Sequence, residues 1–141
     1  MNKLMLFLMT LFIVSGCLSD KDKIDNLPEI EQGISYSEKI NPPKWLQGSW
    51  VIQGTPTSGF IILPNDLCLV SLGQECFQYR IDTAYQKDPS VVKVEQEYKD
   101  GYYRLSINLA GNITEFSFTQ RDMFQAKYTM GSVKGTLYKN H

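Results

Sequence analysis

Histidine is almost missing from this sequence. The single copy, His141, is the last residue, where fraying is expected. That excludes a Ser-His-Asp triad or a Cys-His dyad in any firm form. Cysteine is nearly as scarce: three copies, with no Cys/His spacing of a zinc site and no EF-hand loop. Gly-rich phosphate loops are absent as well, so neither a metal nor a cofactor is expected. Neither sign of charge dominates. Lys and Arg number 14 against 15 Asp and Glu, a formal net charge of −1, so nucleic acid is not an expected partner. No apolar run approaches the roughly 20 residues that span a bilayer as a helix. What remains is a chain of 141 residues, 43% hydrophobic and 12% aromatic. That is too apolar for disorder throughout, and it is sized for one domain, expected to be monomeric.

The apolar residues are unevenly spread. Met1-Asn2-Lys3 is a short basic start, and residues 4–14 are apolar except for Thr10. Such a stretch fits the hydrophobic region of a secretory signal. Val14-Ser15-Gly16-Cys17 follows, and this run resembles the lipobox of bacterial lipoproteins. The resemblance implies removal of residues 1–16, diacylglycerol on the Cys17 sulfur and acylation of the new N-terminus. Two or more acyl chains hold a protein stably on a membrane. Leu18 in place of Asp after the lipidated cysteine implies the outer membrane of a bacterial cell envelope.

Residues 17–41 are read as the lipidated Cys and a flexible tether. Asp20, Asp22, Asp25, Glu29, Glu31 and Glu38 outnumber Lys21, Lys23 and Lys39 there, and the apolar residues keep no sustained period. Asn41-Pro42-Pro43 ends it, and residues 42–141 form the folded domain.

In that domain the period changes to two. Strands are expected at 49–53, 59–63, 67–72, 77–82, 91–98, 102–109, 113–120, 123–130 and 133–139. Turn residues separate them, among them Asp100-Gly101 and Ala110-Gly111-Asn112. Eight or nine short strands without a convincing helix require a mostly antiparallel sheet. Consecutive hairpins leave two edges that can pair. The fold class is therefore all-β, a small up-and-down β-barrel.

Gly48-Ser49-Trp50 resembles the Gly-x-Trp that opens the first strand of lipocalins and related calycin barrels. Residues 43–139 resemble the small lipocalin-like domains of bacterial lipoproteins. The resemblance implies a Trp50 that plugs the closed end, with Lys139 the nearest residue to cover it. Alternation places Trp50, Phe77, Tyr79, Tyr98, Tyr103, Phe116, Phe118, Phe124 and Tyr128 inside. Those rings either fill the interior or line an apolar pocket, since a barrel of this size is only just wide enough for one small ligand.

Cys68 and Cys76 lie almost symmetrically about Leu72. In an exported protein they are read as a hairpin disulfide, the alternative being two buried thiols. Glu95 and Glu97 share a strand face, as paired glycosidase acids would, and read as a solvated face. The expected activity is non-catalytic: a membrane-anchored module binding a small apolar ligand, a glycan or an envelope protein. The residues 55–58 and 84–89 are its candidate mouth loops. The alternative is an inhibitor or other protein–protein interaction lipoprotein. Gln125-Ala126-Lys127-Tyr128 and Lys134-Gly135 resemble, more weakly, the loops of small lysozyme-inhibiting barrels.

Overall fold

The computed structural model describes residues 33–36 and 38–140. The leader 1–16 and the lipidation site Cys17 lie outside the described residues. Ten strands form one antiparallel sheet: β1 Gly33–Tyr36, β2 Gly48–Ile52, β3 Thr55–Leu63, β4 Asp66–Val70, β5 Gln74–Cys76, β6 Val92–Lys99, β7 Tyr102–Leu109, β8 Asn112–Gln120, β9 Gln125–Met130 and β10 Val133–Lys139. The helix α1, Phe77–Lys87, interrupts the series between β5 and β6.

The sheet runs in the order β1-β6-β7-β8-β9-β10-β2-β3-β4-β5. Strand β10 returns to β2, pairing Leu137 with Ile52 and Lys139 with Trp50. That joins the two ends of the expected meander. The other seam stays open: β1 and β5 are its edges, and the sheet is a curled up-and-down half-barrel. Helix α1 contacts β4 on one side of the seam and β6 and β7 on the other, so it covers the gap.

The helix is a correction. Phe77, Tyr79 and Ile81 alternate like a strand, but Phe77 and Ile81 are also four apart, one helical turn. Both are buried, while Tyr79 is 75% exposed and does not join the interior. Local contacts decide between the periods. Cys68 stands opposite Cys76 in the β4–β5 pairing and is disulfide-bonded to it, which ends the hairpin. The Asp66 carboxylate then accepts the Gln78 N–H at 2.9 Å, satisfying one of the amides that open a helix. No Gly or Pro occurs before Pro89 to break the helix.

The remaining hairpins form where the turn residues place them. Ala110 and Gly111 both take positive φ, 53° and 89°, which suits a type I′ turn. At Asp100-Gly101 only Gly101 does so, at 63°. Phe124, expected inside, lies in the β8–β9 loop and is 48% exposed. The Asp122 carboxylate accepts the N–H of Phe124 and of Gln125. This delays the strand to Gln125 and takes Phe124 out of the alternation.

The segment read as tether also contributes to the fold. Strand β1 pairs with β6, Gly33 opposite Tyr98 and Tyr36 opposite Glu95. Residues 38–41 then run down the seam as a strap between α1 and β6. The Gln78 side chain accepts from the Ile40 N–H at 2.8 Å and donates to Glu38 O at 3.0 Å. Gln96 accepts from the Asn41 N–H at 2.7 Å and donates to Lys39 O at 2.8 Å. Two buried amides thus do for the strap what a neighbouring strand's backbone would do, and Ile40 is buried beneath it.

The disulfide ties the hairpin that launches α1. Replacing Cys68 and Cys76 together with serine should lower stability by about 2–3 kcal/mol, as expected for closing so short a loop. The check is the denaturant midpoint of the variant against the oxidised protein. An unchanged midpoint would show that the bond does not hold the hairpin.

Candidate functional site

The interior comes first, because the aromatic pattern points to it. Trp50, Phe77, Tyr98, Tyr103, Phe116, Phe118 and Tyr128 are brought together there, joined by Phe60 from β3, which the alternation had not singled out. They pack ring on ring. Phe60 meets Phe118 at 5.4 Å and Tyr128 at 5.3 Å, and Phe77 meets Phe116 at 5.0 Å, all edge-on. Such contacts are those of a core. The polar tips are engaged too. The Trp50 indole donates to Leu46 O at 2.6 Å, the Tyr98 hydroxyl to Asn41 O at 2.9 Å, and the Tyr103 hydroxyl to Gln96 at 2.8 Å. Burial pushes the Tyr98 phenol up to about 12 and the Tyr103 phenol well above its ordinary range, so both stay neutral donors. The Lys139 ammonium sits 5.2 Å from the Trp50 ring centre.

The outer face divides into two regions. On β6, β7 and β8, Arg104 donates to Glu95, to Glu97 at 3.1 Å and to Glu115 at 3.2 Å. Lys99 reaches Glu97 at 2.7 Å. The Lys99 contact, then that of Arg104, holds the Glu97 carboxyl below its ordinary range. The hydrogen bond to Glu95 comes first among the causes that raise the Arg104 guanidinium. Glu95 and Glu97 are therefore partners of one cation. They are also less open than a solvated face, with side chains 21% and 19% exposed.

On β9 and β10 the situation is reversed. Arg121, Gln125, Lys127, Thr136 and Tyr138 line a concavity of about 370 Å³. Register builds it, with Thr136 opposite Lys127 and Tyr138 opposite Gln125. Arg121 enters from the β8–β9 loop, pinned by its N–H to Gln125 O at 2.9 Å. Among the described residues none of these five side chains has a hydrogen bond or ion pair within the protein. Of the three arginines, Arg80 and Arg104 are ion-paired, and Arg121 has no ion pair among the described residues. Its neighbour Asp122 uses its carboxylate on the loop amides instead.

Other candidates resolve differently. Asp66 lies beside Cys68 and Cys76, but both sulfurs are in the disulfide. Residues 55–58 belong to β3 and residues 84–87 to the last turn of α1, so neither candidate mouth is a free loop. In the sequence only Gln125 and Lys127 stood out, as part of a weaker loop resemblance that the structure places within strand β9; Arg121, Thr136 and Tyr138 are ordinary outward-facing positions. Only the β9–β10 register shows that they converge.

No protein-family model, no curated protein and no solved structure matches this chain.

Proposed function

We propose that this protein is an envelope lipoprotein, anchored through Cys17, whose lipocalin-like half-barrel is a non-catalytic binding module. It engages a glycan or an envelope protein with its outer face and leaves its interior to the core. One contrast carries this reading. The interior rings are packed against one another with the polar tips of Trp50, Tyr98 and Tyr103 bonded, while five polar side chains that have no partner among the described residues converge in the β9–β10 concavity. Buried polar groups demand partners, and partnerless polar groups in a fixed concavity are poised for an external one. The lipobox resemblance supports the anchor, and the Gly48-Ser49-Trp50 motif under Lys139 supports the lipocalin-like reading.

The experiment has two arms. Cells expressing the full chain are fed an alkyne-tagged fatty acid, and the protein is expected to take up the tag and sediment with membranes. Cys17→Ser should lose both, and tag uptake by that variant would overturn the anchor. Purified protein titrated with a fluorescent fatty acid should show no saturable binding. Stoichiometric binding would return the ligand to the interior.

A further inference from the structure

A binding module that works through its outer face still needs a ligand class. Resting on that outer-face reading, we propose that the concavity of Arg121, Gln125, Lys127, Thr136 and Tyr138 binds an anionic saccharide, a sugar unit bearing a carboxylate or a phosphate.

Charge sets the anion. On the neighbouring face of β6, β7 and β8, Arg104 is matched by three glutamates and Lys99 by Glu97. In the concavity Arg121 and Lys127 stand together with no acidic partner among the described residues. Like charges gathered without an acid repel, and a bound oxyanion relieves that repulsion. A guanidinium presents two parallel N–H donors to a carboxylate or phosphate, and an ammonium adds a point charge beside it.

The lining sets the sugar. Gln125 and Thr136 supply both donors and acceptors, which suits a hydroxyl-rich ligand. Tyr138 is 38% exposed, and its ring offers an apolar face with a polar tip beside them. An extended peptide fits less well. Peptides that bind sheets gain affinity by adding a strand at an edge. Here β9 lies between β8 and β10, and β10 lies between β9 and β2, so no backbone edge is open. Recognition must come from side chains alone. The backbone under those side chains is two inner strands and a pinned turn, so binding has to order the side chains alone and no loop.

The test is calorimetric titration of the full chain with a glucuronate-containing disaccharide, glucose 6-phosphate, glucose and an acidic peptide. The charged sugars are expected to bind at least about tenfold more tightly than glucose, as one charge-assisted contact would give. Arg121→Gln and Lys127→Gln should each weaken them about tenfold or more, with unchanged circular dichroism. Lys87→Gln, at the end of α1, should leave affinity unchanged. Tyr138→Ala should weaken charged and neutral sugars alike, which a purely electrostatic site would not do. Equal binding of glucose, preference for the peptide, indifference to Arg121→Gln, or no binding of either charged sugar would each overturn the proposal. Failure here with Cys17 tagging intact removes the saccharide alone. Saccharide binding without tagging removes the anchor and leaves the site standing.

Discussion

Replacing Gly59 with alanine is expected to unfold the protein. A Cβ at that position would lie 1.8 Å from the Trp50 carbonyl oxygen and 2.9 Å from its carbon. The obstacle is backbone, so no side-chain rotation relieves it. Gly59 stands opposite Val51, where the β2–β3 register shifts, and that irregularity brings the two strands unusually close. Strand β2 cannot retreat, because β10 pairs with it on the other side. Overpacking a core by a methyl group typically costs about 1–3 kcal/mol. A clash with pinned backbone should cost more, at least about 4 kcal/mol, against a total stability of about 5–15 kcal/mol for a domain. The expected observation is insoluble protein, or a soluble chain without near-UV circular dichroism. Gly73→Ala is the control, since a Cβ there meets nothing within 4 Å, and it should fold normally. A Gly59→Ala protein melting within about 1 kcal/mol of the parent would show that β2 and β3 do not approach as described. The same variant should lose the outer-face site, because β10 is held in place by β2.

The strands from β6 to β10 were legible because each alternates over most of its length and ends in turn residues with a local reason to turn. Gly101 and Gly111 take the positive φ that L side chains resist. The approach of Lys139 to Trp50 was legible only in that Lys139 was the nearest residue able to cover the ring. Helix α1 was not. Phe77 and Ile81 satisfy both periods, and what chose between them was the Asp66 carboxylate and the Cys68 sulfur, both on a neighbouring strand. Phe124 was misplaced by one capping carboxylate, that of Asp122. The strap was invisible because residues 38–41 carry one buried apolar side chain, Ile40, and draw their other support from Gln78 and Gln96, far along the sequence. A glutamine at an inward strand position looks like a break in the pattern until its partners are known. Seven of the nine rings that alternation places inside lie in the core, and Tyr79 and Phe124 do not.

Gln96→Leu should detach the strap. Gln96 is 1% exposed and makes three hydrogen bonds: to Lys39 O, from the Asn41 N–H and from the Tyr103 hydroxyl. Leucine fills similar space and answers none of them. Each buried group left without a partner costs about 1–3 kcal/mol. The three together exceed what burying Ile40 returns, about 2 kcal/mol. The strap should therefore leave the seam, and the net loss should be about 3–5 kcal/mol, limited by that escape. Limited proteolysis under native conditions should then cut within residues 38–44, where the parent resists. A variant that keeps both its midpoint and its resistance would show that the amide is dispensable. Gln96→Glu separates hydrogen bonding from packing. A protonated carboxyl can donate to Lys39 O and accept from Asn41, so that variant should hold the strap in acid. Burial raises its pKa above the unfolded value of about 4.3. Its stability is then complete below that value and declines as pH rises through the folded pKa, by about 1.4 kcal/mol per unit. The parent, with no charge at that position, should show no such decline between pH values of about 4 and 7. The consequence reaches the membrane reading, because the covalent path from Cys17 to β2 runs through these residues. Under the proposed anchoring through Cys17, a domain whose strap has opened would still be tethered, with its seam exposed at the point where the tether pulls.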